Sequence, residues 1–213
     1  FSLLKKVALK NKPILLSTGA SNLDEIKSAV KFINKNGNNK ICIMQCTLCY
    51  PTHPKDANLS AVLKLKDSFK SNIIGFSDHT LGINIASAST LYGVRVIEKH
   101  FTYNKKLLIS ADHPISIDTK ELKNLRNNVD ELLISIGDGI KKVLKCEAKT
   151  RKYARRSIVA KKNIIKNEVF SENNLSCKRP GTGLSPTLFF KLVGKKASKN
   201  LNKDKIISKK DFY

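Results

Sequence analysis

The stretch IIGFSDHT (73–80), GINIASASTLYG (82–93) and VRVIEKHFT (94–102) decides the fold. Two apolar runs, each ending in polar side chains, flank small residues with helical spacing. Strand, helix and strand joined by short connections make a parallel βαβ unit. Alternation along a strand puts Ser77 and His79 on one face, and Glu98 and His100 on one face. Ionisable groups at the ends of buried strands are costly unless they serve a purpose. In α/β folds the carboxyl ends of the strands are where active sites lie.

Working outward, ILLS (14–17) reads as a buried strand that runs into STGAS (17–21). A helix follows with Leu23, Ile26, Val30 and Ile33 inward, and Ser21 with Asp24 loosely fits a capping box. A helix start preceded by Gly19 and hydroxyls also suits a phosphate, so Ser21 has two readings. ICIMQCT (41–47) is the next strand, with Gln45 and Thr47 near its end. The loop LCYPTHPKDAN (48–58), with His53 at the surface, leads to a helix with Leu59, Val62, Leu63 and Phe69 inward. FSLLKKVALKN (1–11) puts Leu3, Leu4, Val7 and Ala8 on one helical face. It opens without Met, as a piece of a longer protein would. After Thr102, YNKKLLISADHPISI (103–117) carries Asp112, His113 and Ser116. A helix from about Asp118 then repeats Leu122, Leu125, Val129, Leu132, Leu133 and Ile136 at 3.6-residue spacing. Four strands alternating with helices make the C-terminal half of a (β/α)8 TIM barrel, over 1–140. A doubly wound open sheet is the alternative, but it needs more strands.

Composition shifts after Gly139. Residues 141–152 read as a charged, weakly structured linker, and 153–213 as a small β-rich domain of short runs and turns around Pro180, Gly181 and Gly183. With 41% hydrophobic residues the chain can bury a core. Its formal charge is +23, but Lys is spread along the chain beside Asn and Ile. That pattern reads as a solvated basic surface, so nucleic acid is not an expected partner. No apolar run reaches the length of a membrane span, and no membrane partner is expected. Five cysteines, an odd number, fit a reducing, cytoplasmic setting. Cys42 and Cys46 read as small core residues.

The strand ends together offer two imidazoles, carboxylates, an amide and several hydroxyls. Imidazole with carboxylate or amide oxygen suits Mn²⁺, Mg²⁺ or Zn²⁺, and hydroxyls beside helix starts suit a phosphate or carboxylate. His79 is the leading ligand candidate. His100 is equally explained by pairing with Glu98.

STGAS, QCTLCYPT, GFSDHTLG, EKHFT, SADHPIS, ARRSIVA and KRPGTGL occur in that order, and in this the chain resembles the sialic acid synthase family. The resemblance runs from about Leu3 to the C-terminus. It implies strands five to eight of a barrel, followed by an antifreeze-like (SAF) domain. It also implies condensation of phosphoenolpyruvate with N-acetylmannosamine or a related N-acylated hexose, with release of phosphate. The implied cofactor is a divalent metal, Mn²⁺ first and Mg²⁺ or Co²⁺ as substitutes, acting as a Lewis acid. His79 is the implied metal ligand. Gln45 occupies the position of a second, where an amide oxygen is weaker than imidazole. Ser17, Ser21, Thr47 and Ser77 would hold substrate, while Glu98, His100, Asp112 and His113 would line the sugar and proton-transfer region. Arg179 would reach the sugar's acyl group across a domain-swapped homodimer, and Arg155 and Arg156 would lock the linker against the barrel. A separate N-terminal barrel half is a further expected partner, without which four strands leave open edges. The competing reading is a noncatalytic sugar- or polyanion-binding remnant of the same fold.

Overall fold

The computed structural model describes residues 1–107, 110 and 112–213, so Ala111 of the SADHPIS motif lies outside the described residues. The chain divides into two units, Phe1–Gly139 and Ile140–Tyr213.

In the first unit, strands β1 (Ile14–Ser17), β2 (Ile41–Cys46), β3 (Ile73–Asp78) and β4 (Val96–Lys99) form one parallel sheet in the order of the chain. Helices α1 (Ser2–Leu9), α2 (Leu23–Lys35), α3 (Ala61–Ser68), α4 (Asn84–Ser89) and α5 (Thr119–Ser135) punctuate it. Strand–helix alternation in one direction gives half of a (β/α)8 barrel.

The two faces of the sheet differ. Ile14, Ile41, Ile43, Ile74 and Phe76 pack with Ile26, Val30 and Ile33 of α2 and Val62 and Leu65 of α3 in one core. Ile97 adds to that core and to the cluster of Ala86, Ile117 and Leu125. These strand residues share one parity, the helix-facing one. The other parity holds Leu15 and Ile73, both more than half exposed, so this inner face is partly bare. Gly75 lies on it because nothing larger fits. A Cβ there would stand 2.2 Å from the Met44 sulfur and 2.9 Å from the Val96 carbonyl oxygen.

Several local expectations need correction. The cap of α2 is Asn22, whose Oδ1 accepts from the Asp24 and Glu25 amides while Glu25 accepts from the Asn22 amide. Ser21 only donates to the Gly19 carbonyl at 3.5 Å, because a capping box needs a side chain as long as Glu or Gln at its third position, which Asn22 has in Glu25 and Ser21 lacks with Asp24. Leu63 is exposed and Leu65 takes the inward position of α3. In α5 only Leu125 is buried, and Leu122, Leu133 and Ile136 stay exposed despite their spacing. Leu122 and Leu133 line a cleft of about 390 Å³ with Ile97, Phe101 and Ile117.

In the second unit the expected linker is partly helical. Residues 141–152 contain most of α6 (Ala148–Ala154) and cluster with the β-rich part. Strands β5 (Ser157–Ala160) and β6 (Leu175–Lys178) pair antiparallel, and single bridges such as Val159 to Ile206 and Ile164 to Leu201 extend the fabric. Ile158, Phe170, Leu175, Leu201 and Ile207 form its core, with the short helix α7 (Phe189–Leu192) on the flank. Near its end, the buried Asp211 carboxylate accepts from the Ser208 amide and hydroxyl and faces Lys199 at 2.9 Å. Burial pushes this carboxyl up, but the Lys199 and Ser208 hydrogen bonds outweigh it and hold it below the usual aspartate range.

Two outcomes follow for stability. Gly75→Ala overpacks the sheet and lowers unfolding free energy by about 1–3 kcal/mol, to be read from denaturant melts. Because the folded Asp211 carboxyl is depressed, its stabilisation is complete above the unfolded aspartate range and lost as pH falls through the folded value. The protection factor of the Ser208 amide, its exchange rate corrected for intrinsic pH dependence, should therefore fall on acidification, and Asp211→Asn should flatten that dependence. An unchanged acid profile in Asp211→Asn contradicts the assignment.

Candidate active site

At the carboxyl ends of β3 and β4, the inner parity brings Ser77 and Glu98 together as ladder partners. The Ser77 hydroxyl donates to Glu98 Oε1 at 2.6 Å. One step further along, the rings of His79 and His100 stand 5.2 Å apart, centroid to centroid. His79 is buried, and its Nδ1 lies 3.0 Å from the Thr47 carbonyl oxygen. A carbonyl only accepts, so Nδ1 carries the proton and Nε2 keeps its lone pair. That is the tautomer a metal-binding or proton-accepting imidazole needs.

Behind this pair, on the helix-facing parity, Lys99 Nζ meets Asp78 Oδ2 at 2.8 Å and the Thr80 carbonyl at 2.6 Å. The two side chains are 3% and 0% exposed. Asp78 also accepts from the Thr80 amide and hydroxyl. The ion pair thus ties the tip of β3 to the tip of β4, with His79 and His100 each one residue beyond a partner of the brace.

A loop closes over the imidazoles. The Thr52 amide donates to the His79 carbonyl and the Thr52 hydroxyl to the Cys49 carbonyl. Tyr50 is thereby laid on His79, ring centroids 4.2 Å apart, and edge-on to His100 at 5.7 Å. Burial first, and then nearby Cys46, Asp112 and Glu98, raise the Tyr50 phenol above its ordinary value, so it remains a hydroxyl donor. The Cys46 sulfur lies 3.9 Å from His79 Nδ1. Tyr50 and the bracing role of Lys99 are the residues that strand alternation did not point out.

The expected residues divide accordingly. Ser77, His79, Glu98 and His100 converge. Asp112 reaches their rim, its Oδ1 3.9 Å from His100 Nδ1. His113 turns instead to the Thr102 hydroxyl, 2.8 Å away. Ser17 lies on the inner parity of β1, in register with Met44, and is exposed. Thr47 contributes its carbonyl rather than its hydroxyl, which donates to the Asp56 carbonyl. Gln45 corrects the sequence reading. It is in register with Phe76, on the parity that faces the helices, whereas Cys46 pairs with Ser77 on the inner side. It lines a cleft of about 590 Å³ with Thr18, Ser21, Cys46, Thr47 and Lys64, and its helix-facing parity argues against it as a metal partner of His79. Arg179, in the second unit, donates from Nε to the Ala154 carbonyl at 2.9 Å. Among the described residues no group of three or more His, Cys, Asp and Glu side chains is assembled to hold a metal ion. The two adjacent imidazoles are residues of the metal-ligating type and on their own would supply two ligands.

Residues 1–141 match the NeuB family model and residues 155–212 match the SAF domain model. The chain is 45% identical over 206 residues to an N,N'-diacetyllegionaminic acid synthase of Campylobacter jejuni, covering 96% of this chain and 61% of that one. It is 34% identical over 209 residues to a pseudaminic acid synthase of the same species, covering 98% and 60%. A solved structure of an N-acetylneuraminic acid synthetase from Leptospira borgpetersenii superposes with a TM-score of 0.63 at 32% identity, over 70% of this chain and 51% of that one. The chain spans about three fifths of the length of these curated relatives. With its parallel half-barrel sheet and the SAF domain that follows, the chain belongs to the NeuB family.

Proposed function

We propose that this chain supplies the metal- and sugar-binding half of a nonulosonic acid synthase, which joins phosphoenolpyruvate to an open-chain N-acylated hexose and releases phosphate. The observation that carries the reading is the stacked pair at the strand ends, Ser77–Glu98 below and His79–His100 above. Relatives named as legionaminic and pseudaminic acid synthases support it.

The atoms balance as follows. C3 of phosphoenolpyruvate bonds to the sugar aldehyde carbon, and the aldehyde oxygen takes a proton. Water then adds at C2 and gives up a proton, the C2–O bond to phosphate breaks, and the C2 hydroxyl passes its proton to the departing phosphate as the ketone forms. The proton onto the aldehyde oxygen and the two lost by water need carriers, and the groups at hand are Glu98, held by the Ser77 hydroxyl, and Asp112 at the rim of His100. Tyr50, kept as a phenol, donates a hydrogen bond to a sugar oxygen, and its ring covers His79 against water. Ser17 and Ser77 offer hydroxyls to phosphoenolpyruvate. His79 Nε2 and His100 would hold the divalent ion, Mn²⁺ first, which when bound polarises the aldehyde as a Lewis acid. Arg179 would serve the partner's site in a swapped dimer.

The open edges of β1 and β4 and the bare Leu15 and Ile73 call for further strands. An N-terminal barrel half supplies them in this reading. Mixed with the part of the Campylobacter legionaminic acid synthase that precedes the matched region, the chain should release phosphate only when phosphoenolpyruvate, Mn²⁺ and sugar are all present. His79→Ala should lower that rate by about 100-fold or more without lowering the melting temperature. Phosphate release independent of His79 sinks the proposal. Lys99→Met leaves Asp78 buried without its cation and should cost about 3–5 kcal/mol of stability. Lys99→Met with Asp78→Asn should recover part of that in urea melts.

A further inference from the structure

The strongest unassigned feature lies in the second unit. Arg151, Lys152, Arg155 and Arg156 line a concavity of about 610 Å³ together with Ser185 and Thr187. Among the described residues, none of these four cations is ion-paired with a carboxylate. Like charges on one concave wall repel one another and concentrate positive potential. A bound anion relieves that repulsion.

The residue type argues against a mere background of basic surface. The chain has 34 Lys and only 6 Arg, and three of those six line this one cleft. A bias that spreads Lys over exposed positions does not explain Arg concentrated here. The guanidinium differs from an ammonium in offering a planar fork that matches phosphate and carboxylate oxygens in pairs.

The walls are fixed. The Gly181 amide donates to the Lys152 carbonyl at 2.9 Å, joining the 178–187 loop to α6. A Cβ on Gly181 would stand 2.7 Å from the Arg155 Cβ, so only glycine lets loop and helix close this tightly. The Gly183 amide donates to the Ser157 hydroxyl at 2.8 Å, anchoring the loop to β5. On the far wall the Ser185 hydroxyl oxygen accepts from the Thr187 amide and hydroxyl. Its own proton is left to donate outward.

We propose that this cleft binds the phosphoryl group of a small molecule, held by Arg151 and Arg156 with the Ser185 hydroxyl. The volume is of the order found for small-molecule pockets, which favours a metabolite over an extended acidic polypeptide. The site is independent of the strand-end chemistry and stands or falls separately from it.

The test is calorimetric titration of the full chain, at fixed ionic strength, with inorganic phosphate and with adenosine monophosphate. A hexa-aspartate peptide serves as competitor. One saturable site is expected for at least one phosphoryl probe. Arg151→Gln/Arg156→Gln should weaken it by about tenfold or more, while Lys31→Gln/Lys35→Gln on exposed α2, with the same loss of charge, changes it by less than about twofold. The ratio of the two phosphoryl affinities tells whether the group is taken free or carried on a nucleoside. Equal weakening in both double variants, no saturable binding, or tighter binding of the peptide than of either phosphoryl probe overturns the proposal. Both variants alter exposed side chains, and unchanged melting temperatures check that they fold.

Discussion

A lysine and an aspartate sealed from water behind two neighbouring strand ends hold the candidate site in register. Lys99 and Asp78 are almost wholly buried and meet at 2.8 Å. A buried ion pair of this kind adds little net stability, because desolvation consumes much of the attraction. What it supplies is geometry. The pair, together with the Thr80 carbonyl, allows one relative position of the β3 and β4 tips. The imidazoles that follow in sequence are thereby set side by side on the opposite face.

From that constraint the remaining features of the site take their order. Fixing the β3 tip fixes the His79 carbonyl, and this carbonyl receives the Thr52 amide that folds the Tyr50 loop over the rings. On the other side of the ring, the Thr47 carbonyl sets the tautomer. A hydrogen bond to backbone thus sets the orientation of the His79 ring and places the Nδ1 proton before any ligand arrives. Glu98 is treated likewise by Ser77. The site is organised from behind and from below, and Tyr50 covers His79 from above.

How much of this is legible in the sequence depends on whether alternation is visible. In IIGFSDHT and VRVIEKHFT the polar residues appear on a recognisable parity, and Ser77 with Glu98 and His79 with His100 do meet. In ICIMQC both faces are apolar, as strands buried on two sides tend to be. The parity of Gln45 is then hidden until the ladder pairs it with Phe76. Tyr50 sits in a loop, where no period applies, and its place depends on a bridge between Thr52 and Thr80 that no local pattern announces. The helix α5 shows the opposite failure. Its spacing is regular, yet Leu122 and Leu133 stay exposed at a cleft beside β4.

Gly75 carries one more consequence. Its missing side chain leaves room for the sulfur of Met44, the one methionine of the chain, to rest across the sheet. Sulfoxidation would add a polar oxygen to a thioether that already fills this notch. The damaged residue could stay neither dry nor flat against β3. Burial keeps oxidants from this sulfur as long as the strands stay together, so its oxidation would report their separation.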